Sequence, residues 1–493
     1  MHTPSVPGSR LRLADGLTAQ LLFHHRVCPI EVSADGHLVV AAATDHHASA
    51  MTVLEESYGL PIRELAMDDA EVLRAIERLA AHSETLSEGA PEGGDSADRA
   101  ADAREMADQP PVIRFVNQLI RSAFDSHASD IHIESDRSGA LVSRLRIDGV
   151  LMDGPSPSAA LARAVASRVK LLAELDISER RKPQDGRVRV RLETRELDLR
   201  VSTVPTLHGE SIVIRLLDQG GRPGQLEDLG LGATDLSRLD RICRKAHGLV
   251  LVTGPTGSGK TSTLYAALTR RDTTTEKVIT VEDPVEYELA GITQVPVHAH
   301  VGVTMGGALR SILRQDPDVI MVGEMRDTET AETAIQAAMT GHLVFSTLHT
   351  TDAIGAVPRL VDLGVAGYLV AATLDAVLAQ RLVRVVCAHC RVLYDPDPEH
   401  VSLVSGRPES GRRLVRGSGC AECRGSGFRG RTGIFALLLL DDRLREAIAR
   451  GAPRTELEAI AEAGGHRRLL RDAWEKVTAG ITTIEEVLRV AAD

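Results

Sequence analysis

The sequence predicts an α/β multidomain protein organised around a core that binds nucleotide phosphates. Three observations carry this. Gly254-Pro255-Thr256-Gly257-Ser258-Gly259-Lys260-Thr261 fits the phosphate-loop pattern G-x-x-x-x-G-K-[ST], between a strand-like run at 249–253 and a helix-like run at 262–268. From about 229 to 380, apolar runs alternate with helical segments, as in a mostly parallel sheet. At 493 residues the chain is too long for one hydrophobic core. In the loop, glycines let backbone N–H groups turn inward around phosphate, and the following helix adds positive potential. Lys260 is expected to reach the β- and γ-phosphates and Thr261 to ligate Mg²⁺, with residues 254–261 and Ser262 together binding the nucleotide.

Composition narrows the function classes. The net charge of -12 argues against a protein that coats nucleic acid, without excluding a local basic surface. Aromatic residues make up 2% of the chain, too few for base-stacking platforms. No apolar run approaches the length of a membrane span, and Met1-His2-Thr3-Pro4-Ser5 lacks the layout of a signal peptide. The expected location is therefore cytoplasmic, with any membrane association made through a partner. Of the six cysteines, Cys28 and Cys243 are isolated and read as small buried residues.

In chain order, residues 1–82 read as a small N-terminal accessory domain, with a strand near 37–43 and helices near 48–56 and 69–80. His24-His25 and His46-His47 read as solvated. Residues 83–110 are polar, Gly-rich and mostly acidic, a flexible linker. Residues 111–219 open on an amphipathic helix and continue as strands in which arginine alternates with apolar residues, including Arg187, Arg189, Arg191, Arg200 and Arg215. One face of that sheet is a row of guanidinium groups. It is either a solvated basic face or a phosphate-sensing or intersubunit surface, since arginine is the preferred phosphate donor.

Residues 220–385 form the core. Val278–Pro284 is a buried strand ending in Glu282 and Asp283, and Asp318–Glu324 is a second ending in Glu324. Carboxylates at such strand ends sit where ligands bind, and hold Mg²⁺ or orient the attacking water. Glu324 is the choice for the catalytic carboxylate, with Glu282 and Asp283 in the Mg²⁺ shell; the alternative for each is a structural bond to loop backbone. A third strand, Leu343–Leu348, is flanked by His342 and His349, and His349 stands where a γ-phosphate sensor belongs.

Residues 386–432 carry Cys387, Cys390, Cys420 and Cys423 as two C-x-x-C knuckles. Four thiolates satisfy Zn²⁺ tetrahedrally and leave no open position, which predicts a structural site. Pro396, Pro398 and the polar run between the knuckles predict an insert that depends on the metal. Residues 433–493 read as a helical cap with Trp474 buried.

Together these segments carry a likeness. GPTGSGKT at 254–261, VEDPVEY at 281–287, RQDPDVIMVGEMRD at 314–327, GHLVFSTLHT at 341–350, LDISERRKPQDGR at 175–187 and the paired C-x-x-C motifs resemble the ATPases of type II secretion systems and type IV pilus assembly, closest to the type II secretion branch. The likeness covers about residues 110–493 and, more weakly, the first domain. Met325 replaces the usual isoleucine, and 298–302 is unusual for its place; neither disables the site. The cysteines favour the secretion or pilus-assembly branch over retraction motors.

The resemblance implies more than the residues do. It implies a RecA-like P-loop ATPase core preceded by a PAS-like domain, in a cytoplasmic homohexamer that hydrolyses ATP with Mg²⁺ to drive assembly of a pilin-like filament. The family's catalytic glutamate matches Glu324 and its histidine box His342 and His349. Its nucleotide-contacting arginines match Arg200 and Arg215, with Arg310, Arg314, Arg326, Arg359 and Arg431 at subunit contacts. Its first domain docks on a cytoplasmic segment of an inner-membrane platform protein, and a polytopic inner-membrane secretion protein is a further partner. Nucleic acid is not expected as a partner. A type IV pilus extension motor and a nucleotide-regulated scaffold with little turnover are the alternatives.

Overall fold

The computed structural model describes residues 22–491 except 24, 34, 43–47, 85–103, 139, 159–160, 193–194, 219–223 and 408–410. His24, His46, His47 and most of the expected linker thus lie outside the described residues. The chain divides into two units, Met1–Asp98 and Arg99–Asp493. Among the described residues no helix is long and apolar enough to cross a membrane.

In the first unit, β1 (Val27–Val32), β2 (Leu38–Ala42) and β3 (Ile62–Ala66) form a sheet in that order. β1 and β2 are antiparallel; β2 and β3 are parallel, so the chain crosses over between them through α1 (Ala48–Tyr58). Helix α2 (Asp69–Glu84) sets Val72 and Ile76 against Val27, Leu38, Val40 and Leu54. It runs two residues past the expected start of the linker.

The second unit opens with α3 (Pro110–Asp125), β4 (Ala128–Ser135), β5 (Leu141–Ile147), β6 (Val150–Asp153), α4 (Ala162–Leu172), β7 (Gln184–Leu192), β8 (Arg195–Thr206) and β9 (Gly209–Asp218). The strands form an antiparallel sheet in the order β6-β5-β4-β9-β8-β7. Side chains alternate between faces along a strand. One face therefore packs Ile131, Ile133, Leu145, Leu199, Val201, Ile212 and Ile214 under Val116 and Leu119 of α3 and Val165 and Val169 of α4. The other face carries a register-matched row, Arg146 opposite Asp130, Asp130 opposite Arg215, Arg215 opposite Arg200 and Arg200 opposite Arg187. Behind it, the 175–187 segment is pinned. Buried Lys170 pairs with Glu210 and donates to the Glu179 carbonyl at 2.8 Å, and Gln184 Nε2 donates to the same carbonyl at 2.8 Å.

The core follows: α5 (Ala233–Cys243), β10 (Gly248–Thr253), α6 (Lys260–Leu268), β11 (Val278–Glu282), β12 (Thr293–Pro296), α7 (Met305–Ile312), β13 (Val319–Val322), α8 (Thr328–Met339), β14 (Leu343–Leu348), α9 (Ala356–Asp362), α10 (Gly367–Thr373) and β15 (Leu374–Val386). After it come β16 (Arg391–Tyr394), α11 (Pro398–Ser405), β17 (Leu414–Gly417), β18 (Phe428–Leu439) and helices α12 (Asp442–Ala449), α13 (Arg454–Ala463), α14 (Leu469–Thr478) and α15 (Ile484–Ala491). The central sheet runs β12-β11-β13-β14-β10-β15-β18, parallel except for β18. β10, β11, β13 and β14 are covered on both faces, which explains their continuous apolar runs. Leu249 and Leu251 of β10 join the cluster under α7–α10, while Val250 and Val252 join the one under α5 and α6.

The insert between the cysteine pairs has its own apolar anchor. Val401 and Val404 of α11 pack with Leu414, Val383, Ala473, Val477 and Val487. These apolar contacts anchor the insert in addition to its cysteine pairs. Trp474 is half-buried on the edge of this cluster.

Beside that cluster, Glu486 is wholly buried between two arginines. Arg384 donates to it at 2.8 and 3.0 Å and Arg489 at 2.6 and 2.9 Å, while the Arg384 guanidinium lies 4.1 Å from the centre of the Phe428 ring. Burial alone would raise this carboxyl; donation from Arg489 and Arg384 overrides it and brings the group down to about 2. A carboxyl depressed in the folded state stabilises above its unfolded pKa, and that contribution fades as pH falls through the folded value. Glu486→Gln is therefore expected to cost roughly 3 kcal/mol in urea unfolding near pH 7. The gap between variant and native protein should narrow as pH falls from about 4.5 toward 2. A constant gap across that window would place the stabilisation elsewhere.

Candidate functional site

β10, β11, β13 and β14 lie side by side and parallel, so their carboxyl ends open on one edge. In such sheets ligands bind on that edge. It carries the 254–261 loop, Asp283, Glu324 and His349.

The loop depends on its glycines. Gly254, Gly257 and Gly259 have φ of 152°, 77° and 87°. A Cβ on Gly254 would lie 2.4 Å from the Gln380 carbonyl oxygen, and one on Gly259 would lie 2.8 Å from Gln380 Nε2. Any other residue would push the loop off β15. Gly259 is the cap of α6, so the first N–H groups of that helix face the loop. Lys260 Nζ curls back to the Gly254 and Pro255 carbonyls at 2.8 and 3.0 Å. Burial lowers the pKa of this ammonium; Glu324 works against that, and Arg381 adds to it. The buried Ser258 hydroxyl has no hydrogen-bond partner among the described residues. Thr261 is half-buried in the first turn of α6 beside exposed Ser262, while Pro255 and Thr256 lie exposed on the rim. A loop of inward amides, an ammonium and an orphaned hydroxyl fits a phosphate chain.

Glu324 is held by its neighbours. The Gly323 N–H donates to the Val281 carbonyl at 2.8 Å, Thr347 Oγ1 to the Gly323 carbonyl at 2.8 Å, and the Met325 N–H to the Thr347 carbonyl at 3.2 Å. Its carboxylate lies 2.6 Å from Arg326 Nε and 3.5 Å from His349 Nε2. The segment after His349 is tied to the phosphate-loop strand, where Thr253 Oγ1 accepts the Thr350 N–H at 3.0 Å and meets Thr350 Oγ1 at 2.6 Å. Lys260, Glu324 and His349 thus converge.

Two expected site residues do not join them. Glu282 is 2% exposed, with its carboxylate taken by Tyr265 Oη, by Thr280 Oγ1 at 2.6 Å and by Gln294 Nε2 at 3.0 Å. Thr280 and Glu282 lie two apart on β11 and share its face, the one covered by Tyr265 of α6. The placement of Glu282 in a Mg²⁺ shell is therefore corrected; Asp283, the next residue, is exposed and acts electrostatically on Arg326. His342 lies at the amino end of β14, bonded to the Ala337 carbonyl at 2.9 Å and Thr340 Oγ1 at 3.2 Å. The six-residue strand between them puts it about 23 Å from His349. Two histidines close in sequence bracket a strand and so face opposite edges.

The arginines also separate. Arg200 Nη2 reaches the Val285 carbonyl of the acidic segment at 3.4 Å, while Arg215 pairs with Asp130 at 3.0 Å. Arg431 pairs with Asp148 at 3.5 Å and Arg310 pairs with Glu329; Arg314 and Arg359 are exposed.

The four knuckle sulfurs lie within 4.8 Å of one another, at 3.8 Å for Cys387–Cys420, 3.8 Å for Cys390–Cys423 and 3.6 Å for Cys420–Cys423. A tetrahedron with Zn–S bonds of about 2.3 Å has edges of about 3.8 Å. The Cys420 and Gly427 N–H groups donate to Cys423 Sγ at 3.2 Å each, which favours its thiolate. The residues present fit a four-thiolate zinc site.

Sequence reading passed over Gln380 and Arg381. Both are buried polar residues inside the otherwise apolar stretch Ala376–Val383 of β15, and that interruption was the available signal. It also passed over Tyr265, whose hydroxyl only the fold brings to Glu282.

A family model described as type II/IV secretion system protein matches residues 105–489. The type II secretion system protein HxcR of Pseudomonas aeruginosa is 50% identical over 392 residues, covering 80% of each chain. The type II secretion system protein E of Xanthomonas campestris is 44% identical over 495 residues, covering 99% of this chain and 87% of that one. The type II secretion system ATPase E of Vibrio cholerae is 44% identical over 429 residues, covering 86% and 84%. Among solved structures, the pilus retraction motor PilT with bound ADP matches at 26% identity and a TM-score of 0.51, covering 76% of this chain and 96% of that one. On the match across most of its length, the chain belongs to the type II/IV secretion system protein family.

Proposed function

We propose that this protein is an ATP hydrolase that powers pseudopilus assembly and protein export in a type II secretion system. The observation that carries the reading is the convergence of Lys260, Glu324 and His349 at the carboxyl edge of a parallel sheet, in a chain related to a secretion ATPase. Lys260 and the 254–261 amides cradle the β- and γ-phosphates. Glu324 orients a water and accepts its proton as the water oxygen bonds to the γ-phosphorus and the bond to the β-phosphate oxygen breaks. His349 senses the γ-phosphate beside it. Thr261 and Asp283 are the residues here that hold Mg²⁺, which when bound neutralises phosphate charge.

The rest of the reading concerns assembly. Arg200 and Arg215 belong to a basic surface that closes over the nucleotide, and Arg310, Arg314, Arg326, Arg359 and Arg431 serve contacts between subunits of a homohexamer. The protein works in the cytoplasm, with residues 1–82 docking on the cytoplasmic part of an inner-membrane platform protein and a polytopic membrane protein receiving the work. The four cysteines hold a structural zinc.

Turnover per chain should rise with protein concentration as rings form. Glu324→Gln should bind nucleotide normally and lose turnover by about 10²-fold or more, and Lys260→Ala should lose binding itself. Normal hydrolysis by Glu324→Gln, read in a steady-state phosphate-release assay, would remove that residue from the mechanism.

For the zinc site, elemental analysis of the purified chain is expected to give about one zinc per chain. Cys423→Ser should lose the metal and lower the thermal midpoint. A variant with native stability after losing its zinc would show that the ion is dispensable to the fold.

A further inference from the structure

Two adjacent residues of β15 reach opposite walls of the nucleotide site. Gln380 is 2% exposed. Its carbonyl lies directly against Gly254, its Nε2 against Gly259, and its Oε1 accepts from Thr263 Oγ1 at 2.7 Å. It therefore touches both ends of the phosphate loop and the first turn of α6. Arg381 is 7% exposed and donates from Nη2 to the Thr351 carbonyl at 2.8 Å and from Nη1 to the Gln380 carbonyl at 3.3 Å. Thr351 stands two residues beyond His349, which lies 3.5 Å from the Glu324 carboxylate. Neighbours on a strand point to opposite faces, so one strand serves both walls. The surrounding β15 residues Val377, Leu378, Ala379 and Val383 are apolar and buried. A polar pair in such a run costs stability unless its hydrogen bonds are made, and here they are made to the two segments that bear the chemistry.

We propose that Gln380 and Arg381 are positioning residues that divide the work of the site. Gln380 sets the phosphate loop for nucleotide binding. Arg381 sets the His349–Thr351 segment, and through His349 the Glu324 carboxylate, for turnover. This rests on the ATP-hydrolysing reading above.

The test uses the full chain, with kcat and KM for ATP, affinity for a fluorescent ADP, and the thermal midpoint without nucleotide. Gln380→Leu is expected to raise KM and the ADP Kd about tenfold with kcat little changed, and Arg381→Met to lower kcat about tenfold with ADP affinity little changed. Arg381→Lys should recover part of kcat, because its ammonium still donates to the Thr351 carbonyl. Gln380→Glu should raise KM, because it places a carboxylate beside bound phosphates. Should the Leu or Met variant fail to fold, these two conservative changes carry the same split. Parallel losses of kcat and affinity that track the thermal midpoint would reduce both residues to packing and overturn the proposal, as would unchanged kinetics or a Lys variant no better than Met. Absence of turnover in the native chain, or undiminished nucleotide binding by Lys260→Ala, would overturn the reading of the site and the proposal with it. Native turnover with no split overturns the proposal alone.

Discussion

The constraint on which the candidate site depends is the passage of β15 under the phosphate loop. The Gln380 carbonyl sits where a side chain on Gly254 would begin, and the Gln380 amide where one on Gly259 would begin. Removing both Cβ atoms lets loop, strand and the first turn of α6 form one rigid body. A loop built this way needs little reorganisation to receive phosphate, which is how fixed backbone dipoles gain their advantage over water. The same packing fixes the far wall, since Arg381 and Thr253 together hold the segment after His349.

The sequence was most legible where the fold is most regular. Strands buried on both faces must be apolar throughout, so β10, β11, β13 and β14 stood out as runs, and their carboxyl ends marked the edge. Alternation of arginine with apolar residues marked the two faces of the second sheet before its strand order was known. Legibility failed where the answer lay in the third dimension. Glu282 and Asp283 are adjacent in sequence, yet one turns beneath Tyr265 and the other toward the edge. His342 and His349 form one motif on paper, but a six-residue strand holds them at opposite ends. The pairing of β16 with β17 and the anchoring of α11 join segments separated by a polar insert that carries no periodic signal.

The arginine row shows a different kind of limit. Composition announced basic residues on one face, but not that Asp130 stands among them in register, nor that buried Asp198 holds Arg187. These carboxylates relieve repulsion among guanidiniums that cross-strand pairing holds close together. The row still contains more guanidinium than carboxylate. Hydrogen bonds join the same domain to the elements that follow it, with Arg200 donating to the Val285 carbonyl at 3.4 Å and Asp148 accepting the Gly430 N–H at 2.8 Å. The first lies in the acidic segment and the second at the start of β18, so this sheet is seated on the elements that frame the candidate site.

β15 also defines what a metal held by the four cysteines would tie together. From Gln380 to Cys387 the strand covers about 23 Å. It is hydrogen-bonded to β18 from Ala376 to Val386, and Arg384 on the way is locked to Glu486 of the terminal helix. That ladder shifts register once, between Arg384 and Val386, and the lock on Glu486 falls at this irregularity, where the strand would otherwise bend most easily. A four-thiolate ion at its end would leave no open position for chemistry and would fix that end to the insert, while the Val386 N–H on the Ile481 carbonyl at 2.8 Å ties it to the C-terminal helices. Any displacement at the phosphate loop that moves Gln380 must then move the insert and the helical cap with it.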